Sequence, residues 1–94
     1  MNRRTKEISQ ELSLQAERWC YDNLAGPTPA EWNDKFHQKF AELIVKECIQ
    51  VSEAHARDLE SQPTDPLLEA YEDGVINGIY EATVAIKEHF GVEE

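Results

Sequence analysis

A chain of 94 residues is long enough for one domain with a modest core and too short for two. Its 19 acidic residues outnumber its 9 basic ones and give a formal net charge of −10, which disfavours direct binding to nucleic acids and to anionic membranes. No apolar run exceeds three residues, as in Leu43 to Val45, which is far too short for a membrane span or a secretion signal. We therefore expect the protein in a cytoplasm, and its length predicts a single domain, 1–94.

The first predicted helix covers about residues 6–23. Its apolar residues, among them Leu12 and Cys20, recur at intervals of three and four. Basic residues near its start oppose the helix dipole, so residues 1–6 are expected to fray. Gly26 ends the helix in this interpretation, because glycine readily takes the left-handed conformation of a C-cap.

The second predicted helix covers about residues 29–59 and is the one on which the others are expected to pack. Thr28 and Glu31 have the spacing of a capping box at its start. One apolar stripe follows the i, i+4, i+7, i+8 pattern of a single helix face. Its members are Phe36, Phe40, Leu43, Ile44, Cys48 and Val51.

The third predicted helix covers about residues 66–90, with Asp65 as N-cap and Gly91 as C-cap. Its apolar residues occupy more than half of the circumference, so this helix must touch two neighbours. The main stripe consists of Leu68, Tyr71, Val75, Ile79, Ala82, Ile86 and Phe90. The sequence therefore predicts an all-α three-helix bundle, and we expect it to form a helical homo-oligomer through the third helix and the C-terminal half of the second.

The residues that commonly carry chemistry are scattered. Cys20 and Cys48 lie on different helices without a CxxC spacing, which favours free, buried thiols. His37, His55 and His89 lack a second ligand at metal-motif spacing, so no metal site is predicted. No phosphate loop or nucleophile motif is present either, and we expect neither a cofactor nor enzymatic activity.

The negative charge is concentrated in the second half of the chain. Residues 51–94 contain 11 acidic residues against Arg57 and Lys87. These acids could simply solubilise one face of the bundle, or they could bind a basic partner or imitate a nucleic acid. The candidate partner-binding residues flank the apolar stripe of the third helix and are Glu69, Glu72, Asp73 and Glu81.

Three lysines, Lys35, Lys39 and Lys46, follow one side of the second helix. Ordinary ion pairs explain them in part, because Glu31 and Glu42 precede Lys35 and Lys46 by four residues. Alternatively, they hold a phosphate-bearing ligand, in which case the protein would be a sponge for a cyclic nucleotide signal.

Gly74 and Gly78 lie one turn apart inside the third helix, where each costs about 1 kcal/mol relative to alanine. Small residues at this spacing let another helix approach closely, and we expect helix packing at both. A notch for a flat ligand and no special role are the alternatives.

Two segments, FAELIVKEC at residues 40–48 and IKEHFGVEE at residues 86–94, resemble a recurring pair in short accessory proteins of tailed bacteriophages. They cover about a fifth of the chain, and residues 53–85 show no such resemblance. The resemblance implies a protein that counters a host process, antiviral defence above all, by stoichiometric binding of a host protein in the host cytoplasm. It implies no particular functional residue.

Overall fold

The computed structural model describes residues 2–63 and 65–92. It contains three α-helices, α1 (Arg3–Asn23), α2 (Pro29–Ser61) and α3 (Glu69–Phe90), and no strand within the described ranges. The predicted all-α fold with three helices is therefore confirmed.

Helix α1 begins three residues before the predicted start. The Asn2 side chain provides the N-cap by accepting a hydrogen bond of 2.9 Å from the backbone N–H of Thr5. Arg3 Nε also donates to the Glu7 carboxylate at 3.1 Å. These contacts compensate for the unfavourable positive charge at this end, so residues 3–6 are helical where fraying was expected.

The connection between α1 and α2 follows the predicted chemistry with one shift. Leu24, rather than Gly26, is the C-cap of α1, and its N–H donates to the Cys20 carbonyl at 3.0 Å. Gly26 follows with a φ of 60°, the left-handed conformation predicted for it. At the start of α2 the Thr28 hydroxyl accepts the N–H of Glu31 at 3.2 Å, so this half of the capping box is confirmed.

Helix α2 ends at Ser61, two residues beyond the predicted end, and α3 begins at Glu69, three residues after the predicted start. Asp65 does not cap α3. Its carboxylate instead accepts the N–H of Leu67 at 2.9 Å, and its carbonyl accepts the N–H of Leu68 at 2.8 Å. Asp65 thus stabilises a turn before the helix, which delays the helix start.

Gly91 ends α3 as predicted, with a φ of 65°. The N–H of Val92 donates to the Lys87 carbonyl at 3.0 Å, the long hydrogen bond of a Schellman motif. Val92 is buried.

The chain divides into two compact units, residues 1–44 and 45–94, and α2 contributes to both. We call them the α1 unit and the α3 unit. In the α1 unit, α1 packs on the first half of α2. Two contacts show this: the ring centroids of Tyr21 and Trp32 lie 6.1 Å apart, and Lys39 Nζ lies 5.1 Å from the Trp19 ring centroid. The single domain 1–94 stays a prediction.

In the α3 unit, α2 does not use the predicted apolar stripe for its contact with α3. Cys48 and Val51 are exposed, whereas Ile49 and Ala56 are fully buried. The buried row is shifted by about one residue, or about 100° around the helix. The prediction of a buried thiol is therefore right for Cys20 and wrong for Cys48.

Candidate partner-binding surface on helix α3

Three of the four predicted acidic residues share one side of α3, spread over about 18 Å of its length. Glu69, Asp73 and Glu81 are exposed, and a rotation of about 100° per residue places them within roughly one third of the α3 circumference. We call this group the acidic edge. Glu69 also lies in the first helical turn, where a negative charge is favourable to the helix dipole.

Glu72 is separated from the acidic edge. It is half-buried and lies within about 20° of Thr83 around the helix axis, on the side of α3 that packs on α2. There it lines a cleft of about 290 Å³ together with Tyr71 and Val75 of α3 and His55 and Leu59 of α2. The Glu72 side chain therefore faces this cleft and is not part of the acidic edge.

The predicted apolar stripe of α3 is largely open to solvent. Tyr71 is 73% exposed and Phe90 is 58% exposed, while Thr83, at the centre of the contact with α2, is 2% exposed. One neighbour, α2, packs on α3 in this unit. We define the exposed α3 stripe by its large side chains, which are Leu68, Tyr71, Val75, Ile86 and Phe90.

Polar side chains connect α2 and α3 at the centre of their contact. The hydroxyls of Ser52 and Thr83 lie 2.8 Å apart, and the Thr83 hydroxyl also donates to the Ile79 carbonyl at 2.8 Å. Because Thr83 has a single proton and directs it to Ile79, Ser52 is the donor to Thr83. One helical turn away, Lys87 Nζ lies 2.7 Å from the Glu53 carboxylate. This contact therefore gains specificity from polar pairs as well as from apolar burial.

Tyr80 lies on the same side of α3 as this polar contact. Burial raises the pKa of its phenol above the usual 10.0, and the nearby Glu60 carboxylate, which accepts a hydrogen bond from it, raises the pKa further. The phenol is therefore held in its neutral, donating form.

The three lysines of the predicted row have different surroundings. Lys35 is exposed, but Lys39 lies over the Trp19 ring and 3.6 Å from the Glu42 carboxylate. A cation–π contact and an ion pair thus already engage the Lys39 charge. Lys46 is half-buried in the α3 unit and has an interaction partner of its own.

An aromatic ladder along α2 is the main feature of the α1 unit that the sequence analysis missed. The rings of Trp32 and Phe36 are stacked with centroids 5.3 Å apart, and those of Phe36 and Phe40 are stacked at 6.0 Å. The spacing of four residues between successive aromatics was the available signal. All three side chains are half-buried, so the ladder serves mainly the packing of this unit.

Gly74 and Gly78 are both exposed, and a Cβ added to either would meet no neighbouring atom within 4 Å. No helix of the α3 unit therefore approaches their backbone. The predicted helix packing at these glycines stays a prediction.

No group of three or more histidine, cysteine or acidic side chains is placed to hold a metal ion within residues 2–63 and 65–92. In the same part of the chain, none of the helices combines the length and the apolar character needed to cross a membrane. Comparison with protein-family models, with curated proteins and with solved structures finds no match to the chain.

Proposed function

We propose that the protein binds a host protein stoichiometrically and thereby counters a host process, antiviral defence above all, as an accessory protein of a tailed bacteriophage. Binding, rather than catalysis, is the mode of action, and the host cytoplasm is the place. The acidic edge forms the partner-binding surface, and self-association into a homo-oligomer is part of the proposal.

The observation that carries the proposal is the arrangement of charge on α3. Glu69, Asp73 and Glu81 present three carboxylates on one side of an exposed helix. Residues 51–94 contain only Arg57 and Lys87 as basic residues, so little positive charge in the same half of the chain offsets this surface. A negative surface of this kind accelerates the encounter with a basic partner and selects against acidic ones.

The setting comes from the resemblance of residues 40–48 and 86–94 to segments of phage accessory proteins. In such a setting a small binding protein is useful without any chemistry of its own. A host protein that binds nucleic acid fits the same surface, since the acidic edge would then occupy a site built for phosphates. In that form the protein is an acidic nucleic-acid mimic.

The test is capture of a host protein from bacterial lysate by tagged protein, followed by kinetics with the purified partner. Reversal of two acids, Asp73→Lys with Glu81→Lys, should slow association at low salt by about tenfold or more. The matched control is Glu11→Lys with Asp22→Lys, which changes two exposed acids of α1 and makes the same change in net charge. If both double variants slow association equally, the acidic edge has no specific role. The same conclusion follows if Asp73→Lys with Glu81→Lys keeps its helicity and does not slow association.

A nucleotide sponge is the alternative function. To bind a nucleotide phosphate, Lys39 would have to give up its contacts with the Trp19 ring and the Glu42 carboxylate. These contacts therefore favour protein binding over the nucleotide sponge.

A further inference from the structure

The cleft that Glu72 lines between α2 and α3 combines apolar walls with one acidic group, and we call it the Glu72 cleft. Leu59 of α2 and Val75 of α3 are aliphatic, and Tyr71 adds an aromatic ring. Among the described residues that line it, Glu72 is the one acid, and neither a lysine nor an arginine is present. Apolar walls with a single charged group are typical of a site that selects its ligand by charge as well as by shape.

The Glu72 carboxylate is available to a ligand. Within the described part of the chain it makes no ion pair and accepts no hydrogen bond, whereas the Glu53 carboxylate in the same helix contact lies 2.7 Å from Lys87 Nζ. The Glu72 side chain is also half-buried. Because water screens a half-buried charge less than an exposed one, a cation gains more beside Glu72 than at the acidic edge.

The size and the walls of the Glu72 cleft fit one arginine side chain. Pockets for drug-sized ligands have about 300–1,000 Å³, so this cleft of about 290 Å³ holds a single large side chain. A guanidinium is planar, stacks on aromatic rings and donates two hydrogen bonds to one carboxylate, whereas a lysine ammonium is a compact and strongly hydrated charge. Tyr71 offers the ring, at 73% exposure, and Glu72 offers the carboxylate. Leu59 and Val75 would contact the aliphatic stem.

Other occupants match the cleft less well. An apolar side chain would take water from the Glu72 carboxylate without supplying a donor, and an acidic one would add repulsion. The dipole of α3 favours an acid in the first turn at both Glu69 and Glu72, yet only Glu72 of these two lines the cleft. A cationic ligand therefore accounts for an acid among apolar walls, which the dipole alone does not.

The exposed surface of α3 lets one partner reach both the Glu72 cleft and the acidic edge. Around the helix axis, Gly74 and Gly78 lie between Glu81 of the acidic edge and Tyr71 of the cleft. Both glycines are exposed, and a Cβ added to either would meet no atom within 4 Å. Because no side chain projects from these two positions, a partner that crosses α3 here can approach its backbone closely.

We propose that the Glu72 cleft receives an arginine side chain of the host protein, with the guanidinium paired with Glu72 and stacked on Tyr71. The inference deepens the proposed function and rests on it, because it names the chemistry by which the partner is recognised. The acidic edge accelerates the encounter, and the arginine in the cleft slows dissociation of the complex.

The first test uses N-acetyl-arginine amide as the probe, titrated into isotope-labelled protein and followed by the backbone amide signals in NMR spectra. We expect saturable shifts at Tyr71, Glu72 and Val75, with a dissociation constant of about 1 mM for so small a ligand. N-acetyl-citrulline amide is the matched probe, since it has nearly the same shape and no charge. It should bind at least about tenfold more weakly, because a hydrogen bond to a carboxylate is stronger when the donor is charged.

Two variants test the roles of the lining residues. Glu72→Gln should weaken binding of N-acetyl-arginine amide at least about tenfold, and Tyr71→Leu should weaken it about two- to fivefold through loss of the cation–π contact. Glu11→Gln is the matched control, because it makes the same change in net charge at an exposed position of α1 and should leave the dissociation constant unchanged. Circular dichroism must show unchanged helicity in each variant.

The comparison of the two probes on the wild type needs no variant, so the proposal stays testable if Glu72→Gln fails to fold. Shifts that do not map to the cleft, or equal affinity for the arginine and citrulline probes, would overturn the proposal. Equal effects of Glu72→Gln and Glu11→Gln in folded protein would overturn it as well.

The cleft and the proposed function fail separately when the purified host protein of the capture experiment is used. Glu72→Gln should raise the dissociation rate of that complex at least about tenfold. If the rate stays unchanged while Asp73→Lys with Glu81→Lys slows association, the arginine in the cleft is refuted and the acidic edge stands. If N-acetyl-arginine amide binds the cleft but no host protein is captured, the proposed function fails and the preference of the cleft for a guanidinium stands.

Discussion

Replacement of Thr83 by valine tests the polar contact that joins α2 and α3. The two side chains have nearly the same shape, so Thr83→Val leaves no cavity and removes only the hydroxyl. Thr83 is 2% exposed, and its hydroxyl contacts Ser52 Oγ and the Ile79 carbonyl, each at 2.8 Å. The variant thus loses two hydrogen bonds at a buried position.

The expected cost is about 1–2 kcal/mol in the free energy of unfolding. A typical hydrogen bond contributes about 0.5–1.5 kcal/mol, and a buried polar group without a partner costs about 1–3 kcal/mol. Ser52 is half-buried, so water can partly replace its lost acceptor, and the Ile79 carbonyl keeps its place in the helix. These two facts hold the cost below the sum of both contacts.

A double-mutant cycle separates the pair from its surroundings. Ser52→Ala should cost less than Thr83→Val, because Thr83 keeps its bond to Ile79. The two changes together should cost less than the sum by about 0.5–1 kcal/mol, since no unpaired Ser52 hydroxyl then remains.

The assay is urea unfolding followed by far-ultraviolet circular dichroism at one fixed protein concentration, which keeps any self-association constant. Thr5→Val at an exposed position of α1 is the control and should change the free energy by less than about 0.5 kcal/mol. If Thr83→Val is neutral or stabilising, or if the cycle shows no coupling, the Ser52–Thr83 contact does not contribute to the stability of this unit.

Three further predictions follow from the geometry. The raised pKa of Tyr80 favours the protonated phenol in the folded state. Its contribution to stability is therefore complete below pH 10.0 and is lost as the pH rises through the folded pKa. In unfolding curves measured at increasing alkaline pH, Tyr80→Phe should remove this loss of stability. Gly74→Ala should stabilise the helix by about 1 kcal/mol, because the added Cβ meets no atom within 4 Å, and a lower melting temperature would indicate a close neighbour. Cyclic di- and trinucleotides should leave the melting temperature unchanged, because Lys39 is engaged by Trp19 and Glu42; a stabilisation that is lost in Lys35→Glu would support the sponge instead.

The helix ends could be predicted where local chemistry decides them. The Thr28 hydroxyl caps α2, and Gly91 ends α3 in the left-handed conformation, both as the sequence indicates. The start of α3 could not be predicted in the same way, because Asp65 can cap either a helix or a turn and the choice depends on the following residues.

The contact faces could not be predicted from hydropathy. The apolar periodicity of α2 predicts a contact through Cys48 and Val51. In the structure, α2 instead contacts α3 through Ser52 and Ala56, and Ser52 meets Thr83 of α3. Small and polar residues let two helices approach and pair their hydroxyls, and such a pair becomes visible only when both helices are placed.

The partner-binding role of the acidic residues of α3 stays a prediction, and their arrangement on the helix could not be predicted from the sequence. Of the four predicted residues, Glu69, Asp73 and Glu81 are exposed. Their separation from Glu72 depends on where α2 packs, which the periodicity of α3 alone does not determine. For the same reason, the sequence could not show that the stripe beside them stays open.

The most direct test of stoichiometric binding is a calorimetric titration of the captured and purified host protein with this protein at two salt concentrations. We expect saturation at a fixed ratio of the two proteins and weaker binding at 1 M than at 0.1 M salt, because the Debye length falls from about 10 Å to about 3 Å. Chemical conversion of the host protein by much less than one equivalent of this protein would contradict stoichiometric binding. An affinity that does not depend on salt would contradict the role of the acidic edge.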